Sequence, residues 1–275
     1  MRNSKELLEF IHVSGQTKRS LRFSRLFALS ILAGVYISFG AIFFTTVSAY
    51  GGNPGMIKLL SGLVFSTGLV LVAVAGAELF TGNNLLIIPL MNKKITFADL
   101  FRNWGIVYLG NLIGSLLMVV FMFGTGIYSD GNGEIGQRAL EISIGKVSLD
   151  FISIFFRGIL CNMLVCLAIW LTMVAKTVPG KVLGVLFPIT AFVAIGFEHS
   201  VANMYFVPAG MIIKSLGSEN FWSIIAMDSS SFDMLNLQSF LFNNLIPVTL
   251  GNIVGGSLFI GMIFWFVHKD ELRSF

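Results

Sequence analysis

Two apolar stretches in this chain are too long to cross a bilayer as straight helices. Leu59–Met91 has 33 residues and Val182–Ile213 has 32, and each carries one glutamate, Glu78 or Glu198, in its interior. As continuous helices they would measure roughly 48–50 Å, against a hydrocarbon core of about 30 Å. Tilt does not absorb such an excess. Each stretch is therefore expected to break at mid-depth, with a short second piece turning away. Broken backbone at that depth must be buried in protein or line a polar cavity, because lipid satisfies neither N–H nor C=O groups.

Composition supports a membrane setting. Of 275 residues, 55% are hydrophobic and only 12% charged, where a soluble domain carries roughly 25% charge. Mean hydropathy is +0.85. A soluble enzyme, a nucleic-acid binder and a disordered chain are excluded, and no nucleic-acid partner is expected. Four further runs, Phe23–Ala49, Ile106–Phe123, Leu149–Ala175 and Phe240–Val267, have ordinary spanning length. The expected fold is an all-α polytopic membrane protein with six transmembrane helices, two of them broken. Residues 1–22 read as an N-terminal cytoplasmic amphipathic segment and 23–275 as the transmembrane domain, with halves at about 23–125 and 149–267.

The net charge of +4 is one-sided. With a cytoplasmic N-terminus, 13 of the 18 Lys and Arg residues, from Arg2 to Arg273, fall on the inner face. The outer face keeps Lys58, Arg138, Lys146, Arg157 and Lys214. The positive-inside rule then places both termini in the cytoplasm and two long acidic loops, Gly124–Ser148 and Lys214–Ser239, outside. Met1–Arg22 has no apolar core and does not read as a cleavable signal. Leu7, Leu8, Phe10 and Ile11 suit it to lying on the membrane surface. Cys161 and Cys166 share one apolar run and read as inert buried thiols. His12, His199 and His268 are scattered, so no metal site and no cofactor are expected.

A weak duplication runs through the chain. Gly76-Ala-Glu78-Leu-Phe-Thr-Gly-Asn83 matches Gly196-Phe-Glu198-His-Ser-Val-Ala-Asn203 as Gly-x-Glu-x4-Asn, at both expected breaks. Leu109-Gly-Asn111-Leu-Ile-Gly114 matches Leu250-Gly-Asn252-Ile-Val-Gly255, and Arg25 and Ser30 align with Arg157 and Asn162. Three spans per half is an odd number, so the halves are inverted. Inverted repeats with paired broken helices place a substrate path at the midplane between them.

The candidate residues cluster at the breaks. Glu78 and Glu198, with Asn83, Asn162, Asn203 and Asn252, read as support for the broken backbone. Each carboxylate would accept freed backbone N–H groups, and a cation-binding role fits poorly with paired positions. His199 has Leu79 as its counterpart. This asymmetric imidazole can donate to an anion, carry a proton, or sit neutral in the packing. Thr81 in the opposite break can orient it or a substrate. Phe65, Leu69, Leu79, Phe80 and Phe192 surround this centre as constriction candidates, and Lys18, Lys146 and Arg157 lie toward the mouths, where they attract anions or are simply solvated.

Ala77-Glu-Leu-Phe-Thr-Gly-Asn83, Gly158-Ile-Leu-Cys-Asn-Met-Leu-Val-Cys-Leu-Ala-Ile-Trp170 and Gly196-Phe-Glu-His-Ser-Val-Ala-Asn-Met204 resemble the formate/nitrite transporter family, over essentially the whole chain. The resemblance implies an aquaporin-like fold, a homopentamer and one anion pore per protomer in the inner membrane. It implies Thr81 and His199 as the central polar pair, with Leu79 and Phe80 narrowing the cytoplasmic side. Phe65 and Phe192 would narrow the outer side, and Lys18 and Lys146 draw anions to the mouths. The expected function is a channel or transporter for small monovalent anions, formate or nitrite, with two mechanisms open: a proton relay through His199, or conduction with His199 only donating a hydrogen bond. A hydrosulfide channel is the alternative. A water or glycerol channel is disfavoured because Asn53-Pro-Gly55 is a single match to the paired Asn-Pro-Ala signature. An intramembrane hydrolase using Ser200 and Glu198 beside His199 is disfavoured too, because chain neighbours rarely form a triad.

Overall fold

A computed structural model of the chain describes residues 2 and 4–272. Met1, Asn3 and 273–275, with Arg273 of the charge count, lie outside the described residues, as do the side chains of Lys5, Leu8 and Lys269. The elements are α1 Ser4–Ser20, α2 Phe23–Ala49, α3 Pro54–Gly76, α4 Gly82–Met91, α5 Phe97–Gly124, α6 Glu134–Val147, α7 Phe151–Val174, α8 Val178–Ile195, α9 Ser200–Leu216, α10 Glu219–Ile225 and α11 Ser239–His268. Six of them (α2, α3, α5, α7, α8 and α11) are long and apolar enough to span a bilayer. The two over-long runs each split as expected, into α3 with α4 and α8 with α9.

Local chemistry sets the ends. Asn53 caps α3 by accepting from the Gly55 and Met56 N–H groups, with Pro54 pre-set for the first turn. Thr177 caps α8 in the same way. Both breaks are made at a left-handed glycine, Gly76 with φ +86° after a π-helical turn and Gly196 with φ +89°. Only glycine adopts that backbone without strain. These are the leading glycines of the repeated Gly-x-Glu motif.

Four sequence expectations change. The span expected at Ile106 begins nine residues earlier, at Phe97, because Thr96 and Asp99 form a capping box ahead of the apolar run. The expected outer loop 124–148 is mostly helix α6, which packs chiefly against α9 and also meets α2. The N-terminal helix α1 packs on protein: Leu7 and Ile11 meet Leu85, Ile88 and Ile260, while Gly15 sits against Pro89. His12 is buried there at 2.9 Å from Asn92, and burial beside Lys94 lowers its pKa.

The repeat register also moves by one helical turn. A Cβ on Gly114 would stand 2.1 Å from the Ile31 carbonyl oxygen, and one on Gly255 would stand 2.1 Å from that of Ile159. The two crossings are equivalent, so Ser30 pairs with Gly158 and Gly34 with Asn162, in place of Arg25 with Arg157 and Ser30 with Asn162. Lys18 and Lys146 keep the same spacing of 128 positions as Ile31 and Ile159. By this register α1 and α6 are equivalent elements.

Close backbone approach of this kind is how helices associate where lipid offers no hydrophobic drive. Gly114→Val is expected to destabilise the protein by about 2 kcal/mol through overpacking. Gly105→Val, in the same helix but facing open space, should melt near the wild type in detergent. Equal melting temperatures would contradict this packing.

Candidate functional site

The two breaks are held by one asparagine each, from the middle of a neighbouring span. The Phe80 N–H donates to Asn111 Oδ1 at 2.9 Å, and Asn111 Nδ2 donates to the carbonyls of Ser30 (2.7 Å) and Glu78 (2.9 Å). In the other half the Ser200 N–H donates to Asn252 Oδ1 at 2.9 Å, and Asn252 Nδ2 donates to Gly158 (2.8 Å) and Glu198 (3.0 Å). The freed N–H groups of Glu78 and Glu198 reach the carbonyls of Leu29 at 3.1 Å and Arg157 at 3.3 Å. The backbone is thus satisfied by amide side chains and by α2 and α7.

The expected role of the glutamates is therefore corrected. Glu78 accepts from Lys18 Nζ at 2.8 Å and Asn83 Nδ2 at 2.7 Å; Glu198 accepts from Lys146 Nζ at 3.0 and 3.2 Å and Asn203 Nδ2 at 2.7 Å. A carboxylate at this depth holds its charge only with a paired cation, and α1 and α6 each bring one. Asn83 and Asn203 lean in turn on Asn103 and Asn244, both at 2.9 Å.

Between the breaks, Thr81 Oγ1 and His199 Nε2 lie 2.9 Å apart in a buried side-chain hydrogen bond that joins them directly. His199 also caps α9, its Nδ1 accepting the Ala202 N–H at 3.1 Å. That acceptor role assigns the ring proton of a neutral imidazole to Nε2, so His199 donates to Thr81. Asn162 Nδ2 reaches Asn84 Oδ1 and the Asn252 carbonyl, each at 2.7 Å, and the Thr81 carbonyl at 3.3 Å. Cys166 Sγ also lies 3.5 Å from that carbonyl, so this thiol takes part in the site's packing.

Two vestibules approach the pair from opposite faces. One of about 290 Å³ is lined by Lys18, Leu79, Asn83 and Lys181, with α1 forming part of its wall. The other, of about 340 Å³, is lined by Phe65, Phe192, Lys146, Arg157 and His199. Phe65 and Phe192 meet edge to face at 5.8 Å, and the Phe192 ring stacks at 6.0 Å from His199. Leu69 and Phe80 line neither vestibule. Leu69 is core, and the Phe80 ring packs against Tyr108 at 4.9 Å.

Some residues escaped the sequence reading. Asn111 lay in a repeated motif without a role, and Asn103 and Asn244 carried no signal at all. Phe206, stacked at 6.3 Å on Phe65 and 5.2 Å from Lys146 Nζ, was lost among 27 phenylalanines. The hydrolase constellation does not assemble. Both ring nitrogens of His199 are engaged elsewhere, and Glu198 binds Lys146 and Asn203.

Inverted repeats, two half-helices meeting at a buried polar pair and vestibules on both faces define an integral membrane protein of the channel and transporter class. Residues 5–266 match the formate/nitrite transporter family, and the chain belongs to that family. It is 40% identical over 247 residues to the formate channel FocA of Escherichia coli strain K12, covering 89% of this chain and 87% of that one. A probable formate transporter of Methanothermobacter thermautotrophicus is 38% identical over 274 residues, covering 93% of each. Among solved structures, a pentameric formate channel with formate bound superposes with a TM-score of 0.83 at 40% identity, covering 90% of this chain and 98% of that one. An FNT family ion channel gives 0.81 at 27% identity, covering 95% and 98%.

Because each central asparagine satisfies three backbone groups, Asn111→Ala and Asn252→Ala should each cost about 2 kcal/mol or more. Thermal unfolding in detergent checks this, and a wild-type melting curve for both would show that the breaks do not depend on them.

Proposed function

We propose that the chain forms a pore for small monovalent anions, formate or nitrite, with one passage through each protomer of a homopentamer. In this reading it sits in the inner membrane with both termini cytoplasmic. The observation that carries it is the buried Thr81–His199 hydrogen bond between two vestibules on opposite faces. Family membership and the formate channels among its relatives support the substrate, and the pentameric neighbour supports the assembly. The excess of Lys and Arg on the α1 side supports the orientation.

An anion leaving either vestibule sheds water, at a cost of several kcal/mol unless something replaces it. Thr81 is built to replace it. Its oxygen already accepts the His199 Nε2–H, which leaves its own proton to donate to the anion. The half-helices α4 and α9 begin just after Thr81 and His199, so their positive ends face the same point. Leu79 on one side and Phe65 and Phe192 on the other wall the approach with apolar surface, Leu69 and Phe80 packing behind them. Arg157 draws anions toward one mouth, while the charges of Lys18 and Lys146 are largely taken up by Glu78 and Glu198.

Of the two mechanisms open from the sequence, the geometry favours His199 as a hydrogen-bond donor that stays neutral. A protonated ring would forfeit the Ala202 contact and set a positive charge on a helix N-terminus. Removing the donor with His199→Phe is expected to lower formate flux in proteoliposomes about tenfold or more. In the wild type, charge moved should equal formate moved. Alkalinisation of the medium matching uptake would contradict the donor role, and hydrosulfide flux exceeding formate flux would reassign the substrate.

A further inference from the structure

The vestibule on the Lys146 face holds five charged side chains, and four of them cancel. Arg138 pairs with Glu141 at 3.1 Å, and Lys146 pairs with Glu198 at 3.0 Å. Arg157 is the remaining one, and no ion pair is formed by it among the described residues. Its place is fixed from behind, because its carbonyl accepts the Glu198 N–H at the break. Its side chain is exposed at the vestibule wall. One guanidinium nitrogen lies 3.4 Å from the Gly196 carbonyl, a long contact that leaves most of its five N–H donors unused. Its repeat counterpart, by the register of the backbone bonds at the two breaks, is Leu29. Arg157 therefore has no equivalent cation in the other half of the repeat.

We propose that Arg157 is the docking point for an anion entering from the Lys146 face, and that it favours planar anions with two oxygens over hydrosulfide. This rests on the pore reading above and sharpens it. The paired lysine contributes little net field beyond its own ion pair, whereas Arg157 supplies the uncompensated charge that concentrates anions there. A guanidinium fork matches a carboxylate or nitrite with two parallel hydrogen bonds. Hydrosulfide, with a single acceptor atom, meets only its charge. A lysine at this position would keep the charge and lose the fork.

The test measures half-saturating concentrations for formate and hydrosulfide uptake at low ionic strength, in right-side-out and inside-out vesicles. R157Q is expected to raise the formate KM about fivefold, in the one vesicle orientation that turns the Lys146 face outward. R157K should bring the hydrosulfide KM back to the wild-type value while leaving that of formate about threefold high. A formate KM unmoved by R157Q, or one moved equally in both orientations, overturns the docking role. Recovery of both anions alike in R157K overturns the preference for two oxygens. If R157Q fails to assemble, R157K alone still decides, because it keeps the charge. Wild-type vesicles that move no formate would instead count against the pore itself.

Discussion

Peptide groups at the middle of a bilayer have no water to fall back on, and the rest of this molecule is arranged around that fact. Two helices stop half-way at a glycine, and each leaves N–H and C=O groups that would cost several kcal/mol apiece if unpaired. Asn111 and Asn252 take up those groups with both ends of their amides. Their own spans must then lie within reach, which the glycine crossings at Gly114 and Gly255 allow. The glutamates beside the breaks add a buried charge, which is why α1 and α6 fold back over the two faces to deliver Lys18 and Lys146.

The scaffold is symmetric, whereas the centre is not. The asparagines, glutamates, lysines and break glycines come in matched pairs. Where chemistry is needed the pairs diverge: Leu79 against His199, Thr81 against Val201, Gly34 against Asn162, and Leu29 against Arg157. Symmetry secures a stable break in each half. Its violation creates one donor pair between the vestibules and, in Arg157, a cation with no counterpart in the other half. Scaffold and polar centre are thus separable in this chain, residue by residue.

What could be read from sequence followed length and period. A 33-residue apolar run set against a 30 Å core demands a break, and the repeated Gly-x-Glu marks its place. The glutamates' partners were not legible, because Lys18 and Lys146 lie 60 and 52 positions away in the chain on helices with few apolar residues. The repeat register slipped by four for a simple reason: residues one turn apart share a helix face and give similar patterns. The roles of Asn103, Asn244 and Phe206 depend wholly on tertiary contact, since a buried amide or a phenylalanine in such a chain looks like any other. The pairing of Thr81 with His199 was legible from their places in opposite breaks, and family likeness implied it too. The tautomer follows from the Ala202 contact alone.

The claim that anions pass through the protomer, between Leu79 on one side and Phe65 and Phe192 on the other, is tested most directly by blocking that line without touching the polar pair. Formate flux should be measured in proteoliposomes for wild type and Leu79→Trp, the variant first shown to melt and assemble normally. The account predicts that the indole fills the approach to Thr81 and flux falls to the level of empty vesicles. Flux persisting near the wild-type rate would place the route elsewhere in the assembly.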